Sequence, residues 1–114
     1  MKTKELLTDA FLAQFTGTTQ YYKNFLGLLY TDGIQAMAET GGAYWLIDAI
    51  ASFRRRELFQ VWKLTVSDNK GALTMQEDSD QPIIVKQKIP FTDFPLESIE
   101  FFVIDNVLML KSEY

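Results

Sequence analysis

The hydrophobic period of this chain changes once, near Phe59, from roughly every fourth residue to every second, and that change predicts an α+β fold with helices first and strands after them. Before it, Leu7, Phe11 and Phe15 recur every fourth position with Leu12 beside them, a helical stripe over residues 3–15 that Gly17 ends. Thr18 and Thr19 then cap a second helical segment, in which Tyr22, Phe25, Leu26 and Leu29 share a face; Gly27 interrupts it and Thr31-Asp32-Gly33 closes it. Residues 34–39 read as a short helix stopped by Gly41-Gly42. Residues 43–56 read as a helix that is apolar almost all the way round, which predicts burial on several sides.

After the change, Trp62, Leu64 and Val66 alternate with Val61, Lys63 and Thr65 in a first strand. The turn cluster 67–71 leads to a second strand around Leu73 and Met75, and residues 77–82 turn again. A third strand sets Ile83, Val85 and Ile89 opposite Ile84, Lys86 and Lys88, and ends at Pro90, which cannot donate to a ladder. Residues 91–96 cross to a final hairpin with arms 99–104 and 107–110. Its turn, Asp105-Asn106, uses residue types that tolerate positive φ. The expectation is N-terminal helices packed on a C-terminal antiparallel meander of about five strands. A chain of 114 residues suits a single domain, 1–114, with a helical half 1–57 and a sheet half 58–114; two domains would each bury too little apolar surface.

The strands are of two kinds. The first three alternate apolar with polar, whereas the last two are apolar on both faces. Simple alternation groups Phe101, Val103, Val107 and Met109 on one face and Phe102, Ile104, Leu108 and Leu110 on the other. One group then needs cover beyond a single helical layer, either from the N-terminal helix wrapping round or from a protein partner or second copy. Phe102, Ile104, Leu108 and Leu110 are therefore the candidate interface.

The chemistry open to the chain is narrow. It has no histidine and no cysteine, so Ser-His-Asp and Cys-His designs, His-ligated or Cys-ligated metals and disulfides are all excluded. The net charge of −4 disfavours a nucleic-acid module. Cysteine-free composition suits the cytoplasm, the N-terminal residues lack the apolar run of a secretion signal, and the longest apolar stretch, 43–53, is too short for a bilayer of about 30 Å. No cofactor is implied. What remains is carboxylate or lysine chemistry, or an all-oxygen cation site.

Asp48 falls inside the apolar helix, one turn after Tyr44, where a buried carboxylate must be paired, hydrogen-bonded or protonated. Asp32 and Asp93 each follow a ring and a hydroxyl, in Tyr30-Thr31-Asp32 and Phe91-Thr92-Asp93. Either the acids hold a cation jointly, or each threonine and aspartate caps backbone N–H groups. Glu77, Asp78 and Asp80 lack the glycine and distal glutamate of a calcium loop and suit a solvated hairpin tip. Arg54-Arg55-Arg56 with Lys63, Lys86 and Lys88 is the basic concentration of the chain; either it binds phosphate or an acidic partner, or the arginines serve a helix C-terminus, whose dipole they complement.

Several stretches together carry a resemblance: Gln20-Tyr21-Tyr22, Leu29-Tyr30-Thr31-Asp32-Gly33, the block Ala43-Tyr44-Trp45-Leu46-Ile47-Asp48, Phe91-Thr92-Asp93-Phe94-Pro95-Leu96 and the ending Ser112-Glu113-Tyr114. The chain resembles a family of small bacterial proteins catalogued only as a domain of unknown function and seen also in mobile-element and phage-like settings. The resemblance implies no activity and no catalytic residues; its setting implies an accessory or anti-defence protein that works by binding. Residues and resemblance together lead to a non-enzymatic interaction protein. The alternative is a carboxylate- and metal-dependent enzyme, which requires Asp32, Asp48 and Asp93 to converge.

Overall fold

A computed structural model describes residues 6–17, 20–53, 59–78 and 80–114 of the chain. The five expected strands are present as β3 (Phe59–Ser67), β4 (Lys70–Gln76), β5 (Ile83–Ile89), β6 (Ser98–Ile104) and β7 (Val107–Leu110), and two short ones, β1 (Tyr21–Lys23) and β2 (Leu29–Thr31), join them from the first half of the sequence. All seven form one sheet in the order β1-β2-β7-β6-β3-β4-β5. The sheet is mixed, because β2 runs parallel to β7 while the other neighbouring pairs are antiparallel.

The expected meander is replaced by a longer path. After β3-β4-β5, residues 90–97 carry the chain back across so that β6 pairs with β3 on its far side, the strand order of a Greek key. Burial explains the choice: β6 is apolar on both faces and belongs in the middle, whereas β5, with exposed Lys86 and Lys88, tolerates an edge. Two turns hold this register. Asp68 and Asn69 (φ 52° and 61°) join β3 to β4, and Asp105 and Asn106 (φ 49° and 67°) join β6 to β7. Positive φ at both central residues gives the turn twist that matches paired strands.

The second expected helix is instead the β1–β2 hairpin. Asn24 Oδ1 accepts from the Leu26 N–H at 2.7 Å, and Gly27 takes φ 97°, so the chain reverses where a helix would have to continue. Tyr22 and Tyr30 then stack across the pair at 5.5 Å, and the Asn106 side chain donates to the Gly27 carbonyl at 3.0 Å, fastening the hairpin beside β7.

Helical structure in the first segment is confined among the described residues to α1 (Asp9–Leu12) and a short 3-10 turn at Leu6. Leu7 and Leu12 still enter the core. The short helix around residues 34–39 is α2 (Asp32–Gly41), started by the Thr31 side chain accepting from the Ile34 N–H at 3.2 Å and stopped at Gly42, whose φ of 61° suits glycine. The following helix, α3, covers Tyr44–Ser52; the arginine run lies outside the described residues. It is not apolar all round, since Tyr44, Asp48 and Ser52, spaced every fourth residue, form an exposed stripe while Leu46, Ile47, Ile50 and Ala51 are buried.

Side chains from all three helices meet one face of the sheet. Met37, Leu46, Ile47 and Ile50 join Trp62, Leu64, Leu73, Met75, Phe101 and Leu108 in one cluster. The Trp62 indole N–H donates to buried Gln60 Oε1 at 2.8 Å, which satisfies both polar groups. No described helix is long and apolar enough to cross a membrane.

Candidate interaction surface

The acidic candidates lie on separate elements. Asp32 opens α2 and accepts from the Gly33 N–H at 3.1 Å. Asp48 is exposed rather than buried, and accepts from Asn24 Nδ2 at 2.6 Å, which ties α3 to the β1–β2 turn. Asp93 is exposed in the β5–β6 crossing, beside a cleft of about 310 Å³ that Trp45 and Phe91 help to line. Among the described residues, no three acidic side chains are grouped to hold a metal ion. The threonines of the two triplets cap: Thr31 serves the Ile34 N–H, and Thr92 Oγ1 accepts from the Phe94 N–H at 3.1 Å.

Tyr44 donates its hydroxyl to Glu39 at 2.9 Å and accepts from Gln35 at 3.2 Å. Its pKa is raised, first by loss of solvent and then by the Glu39 carboxylate. The Tyr30 phenol is raised too, by burial first, then by Tyr22 and Asp48. Phenols held protonated in this way are hydrogen-bonding groups at neutral pH and poor bases.

The hairpin candidates divide between two faces. A two-residue turn pairs Ile104 with Val107, so Val103 meets Leu108, Phe102 meets Met109 and Phe101 meets Leu110. Even-numbered residues of β6 therefore share a face with odd-numbered residues of β7. Leu108 (0% exposed) and Leu110 (3%) belong to the core with Phe101 and Val103. Phe102 and Ile104 lie on the other face with Val107 and Met109, all four half-buried. The expected grouping failed by one residue of parity, which the turn length in the sequence could have corrected.

That outer face has no described helix packed across it. Phe59 and Val61 of β3 continue it beside Ile104 and Phe102. Tyr114 folds back so that its ring meets Phe102 at 5.2 Å and Phe59 at 6.0 Å, both nearly perpendicular, while remaining 75% exposed. Farther along the same face the character changes. Lys63 stands opposite Glu100 on β6 and Thr74 on β4, and Thr74 stands opposite Lys86; Lys88 follows two residues later on β5. The face thus has an aromatic and aliphatic half over β7-β6-β3 and a lysine half over β3-β4-β5.

A family profile described as "Family of unknown function (DUF6876)" matches residues 6–114. The chain belongs to this family. Comparisons with curated proteins and with solved structures gave no match.

In this DUF6876 chain the Ser-Glu-Tyr ending ties three parts of the molecule together. Lys111–Glu113 forms a 3-10 turn after β7. Ser112 donates to the Leu12 and Phe15 carbonyls at 3.3 and 2.7 Å, satisfying the end of α1. Glu113 accepts from the Thr31 hydroxyl at 2.6 Å, the Leu110 N–H at 3.0 Å and the Gly33 N–H at 3.3 Å, and so sits at the start of α2. A Cβ on Gly33 would lie 2.5 Å from Glu113 Oε1, so any other residue there would push the carboxylate from this position. Tyr114 completes the aromatic trio. Periodicity carries no signal for these contacts; the resemblance alone singled the tripeptide out.

Proposed function

We propose that this protein is a non-enzymatic binding module that presents the outer face of its β6–β7 hairpin to a protein partner. The observation that carries the reading is the group Phe102, Ile104, Val107 and Met109, with Phe59 and Tyr114, on a sheet face that no described helix covers. The part of these side chains that stays accessible is apolar area in contact with water, and a partner that covers it removes that area from water at about 25 cal/mol per Å². The lack of histidine and cysteine and the separation of the carboxylates onto different elements support binding over catalysis. The mobile-element and phage-like setting of the resembling family suits an accessory or inhibitory factor, and the cytoplasm is the compartment proposed for it.

Photo-crosslinking tests this. A benzoylphenylalanine placed at Met109 should yield a discrete adduct in native host cells, and the same group at Ser52, on the exposed stripe of α3, should not. Adding Phe102→Asp should abolish the Met109 adduct while the circular dichroism spectrum stays unchanged. Equal adducts from both positions, or none from Met109, would sink the reading.

A further inference from the structure

We infer that the partner is an acidic polypeptide, whose apolar side chains meet the aromatic half of the outer face and whose carboxylates meet Lys63, Lys86 and Lys88. The inference rests on the binding role proposed above and adds the chemistry of the partner.

Size comes first. The half-buried strand side chains each keep a few tens of Å² accessible, so with Tyr114 the apolar patch amounts to roughly 400 Å². A stable interface takes about 800 Å² from each partner, and the footprint must therefore spread beyond the patch. Lateral spread along the sheet leads through Val61 and Gln76 to exposed Ile83, and through Lys63 and Thr74 to Lys86. Neighbouring strands lie about 4.8 Å apart and alternate residues about 6.6 Å, so the three lysines stand within roughly 12 Å of one another.

Charge comes second. All three lysines are exposed, and among the described residues their side chains make no ion pair or hydrogen bond. Among the described residues Glu100 is the sole acid on the strands of this face, and its carboxylate already lies 3.9 Å from Lys111 Nζ. On a chain of net charge −4 this face is a local concentration of the opposite sign. Complementary charge at the rim of an apolar patch directs encounter and sets specificity.

Two other occupants fit less well. A second copy docked face to face about a two-fold axis would set this surface against itself, and it offers Glu100 alone to answer three lysines. A nucleic acid needs many phosphate contacts, and the overall negative charge opposes its approach. The aromatic rings are also engaged edge to face with one another instead of being laid open for stacking.

The test is a random peptide library displayed on phage and panned against the intact protein, followed by synthesis of the enriched peptides and titration against variants. The expected peptides carry several Asp or Glu among aromatic or aliphatic residues. They should lose binding with Phe102→Asp, weaken about tenfold or more with Lys63→Glu, Lys86→Glu and Lys88→Glu combined, and weaken as salt is raised. Oligothymidylate should not compete. Basic or uncharged peptides that need Phe102 but ignore the lysines would overturn the acidic partner and leave the binding role standing. Displacement by oligothymidylate would replace the polypeptide with a nucleic acid. Peptides indifferent to Phe102→Asp, or no enrichment at all, would overturn the binding role itself. Light scattering on the free protein decides the last alternative, since a dimer broken by Phe102→Asp would make the occupant a second copy. Thermal melts confirm that each variant is folded; should Phe102→Asp unfold, Met109→Ser takes its place.

Discussion

The Glu113 carboxylate lies among opposing influences. Burial raises its pKa; the hydrogen bonds from Thr31, Leu110 and Gly33 lower it, and nearby Asp32 raises it, with burial the largest contribution and the net direction upward. A carboxyl raised on folding binds its proton more tightly in the native state than in the unfolded chain. Its contribution to stability is complete below the ordinary glutamate value of about 4.3 and is lost as pH rises through the raised value. Glu113→Gln keeps an acceptor for Thr31 and removes the titration. The wild type should therefore exceed this variant in unfolding free energy by more near pH 4 than near pH 7, with the change falling in the window just above the ordinary glutamate range. Urea denaturation at several pH values measures the difference, and a gap independent of pH would contradict the assignment. The same residue shows where sequence reasoning stops. Nothing in the spacing of residues 111–114 predicts contact with residues 31–33, because that proximity is created only when β2 pairs with β7.

At the scale of elements, what could be read from the sequence was whatever local pattern decides. The strands β3 to β7 kept their places because alternation and two-residue turn chemistry are local signals, and α2 kept its stop because a glycine in the left-handed region is one as well. The β1–β2 hairpin was missed because its apolar spacing also fits a helix; the tertiary pairing with β7 and the Asn24 turn outweighed that pattern. Of the four interface candidates, Leu108 and Leu110 face the core and Phe102 and Ile104 the outer side of the sheet, a division that follows from the turn parity alone. Asn106 joins both lessons, since its φ of 67° shapes one hairpin while its side chain holds the other through the Gly27 carbonyl. Asn106→Gly keeps the turn conformation and deletes only the cross-hairpin bond. It should cost about 1 kcal/mol. Hydrogen exchange should quicken at Tyr22 and Tyr30 in β1 and β2, with the amides shared by β3 and β4 unaffected. Uniform acceleration across the sheet would show that β1–β2 is not a separable edge.

For the whole molecule, the last three residues do more than their number implies, because each anchors a different layer. Ser112 holds the end of α1, Glu113 holds the start of α2 against the sheet, and Tyr114 lies on the outer face over Phe59 and Phe102. The helical layer and the outer face are thus fastened through one strand end, so loss of the tripeptide acts on both sides of the sheet together. Deleting residues 112–114 removes several hydrogen bonds, among them those from Thr31, Gly33 and Leu110 to the half-buried Glu113 carboxylate, and the ring contacts of Tyr114 with Phe59 and Phe102. The expected loss is about 3 kcal/mol, a large share of the 5–15 kcal/mol typical of a domain. For a chain of this size that corresponds to a fall in Tm of roughly 10–20 °C. Tyr114→Ala alone should cost about 1 kcal/mol and leave α1 and α2 intact, since it unloads only the outer face. Calorimetry on the truncation and the point variant separates the two effects. A truncation no less stable than Tyr114→Ala would mean that Ser112 and Glu113 hold nothing, and the helical layer would then owe its position to the apolar core alone.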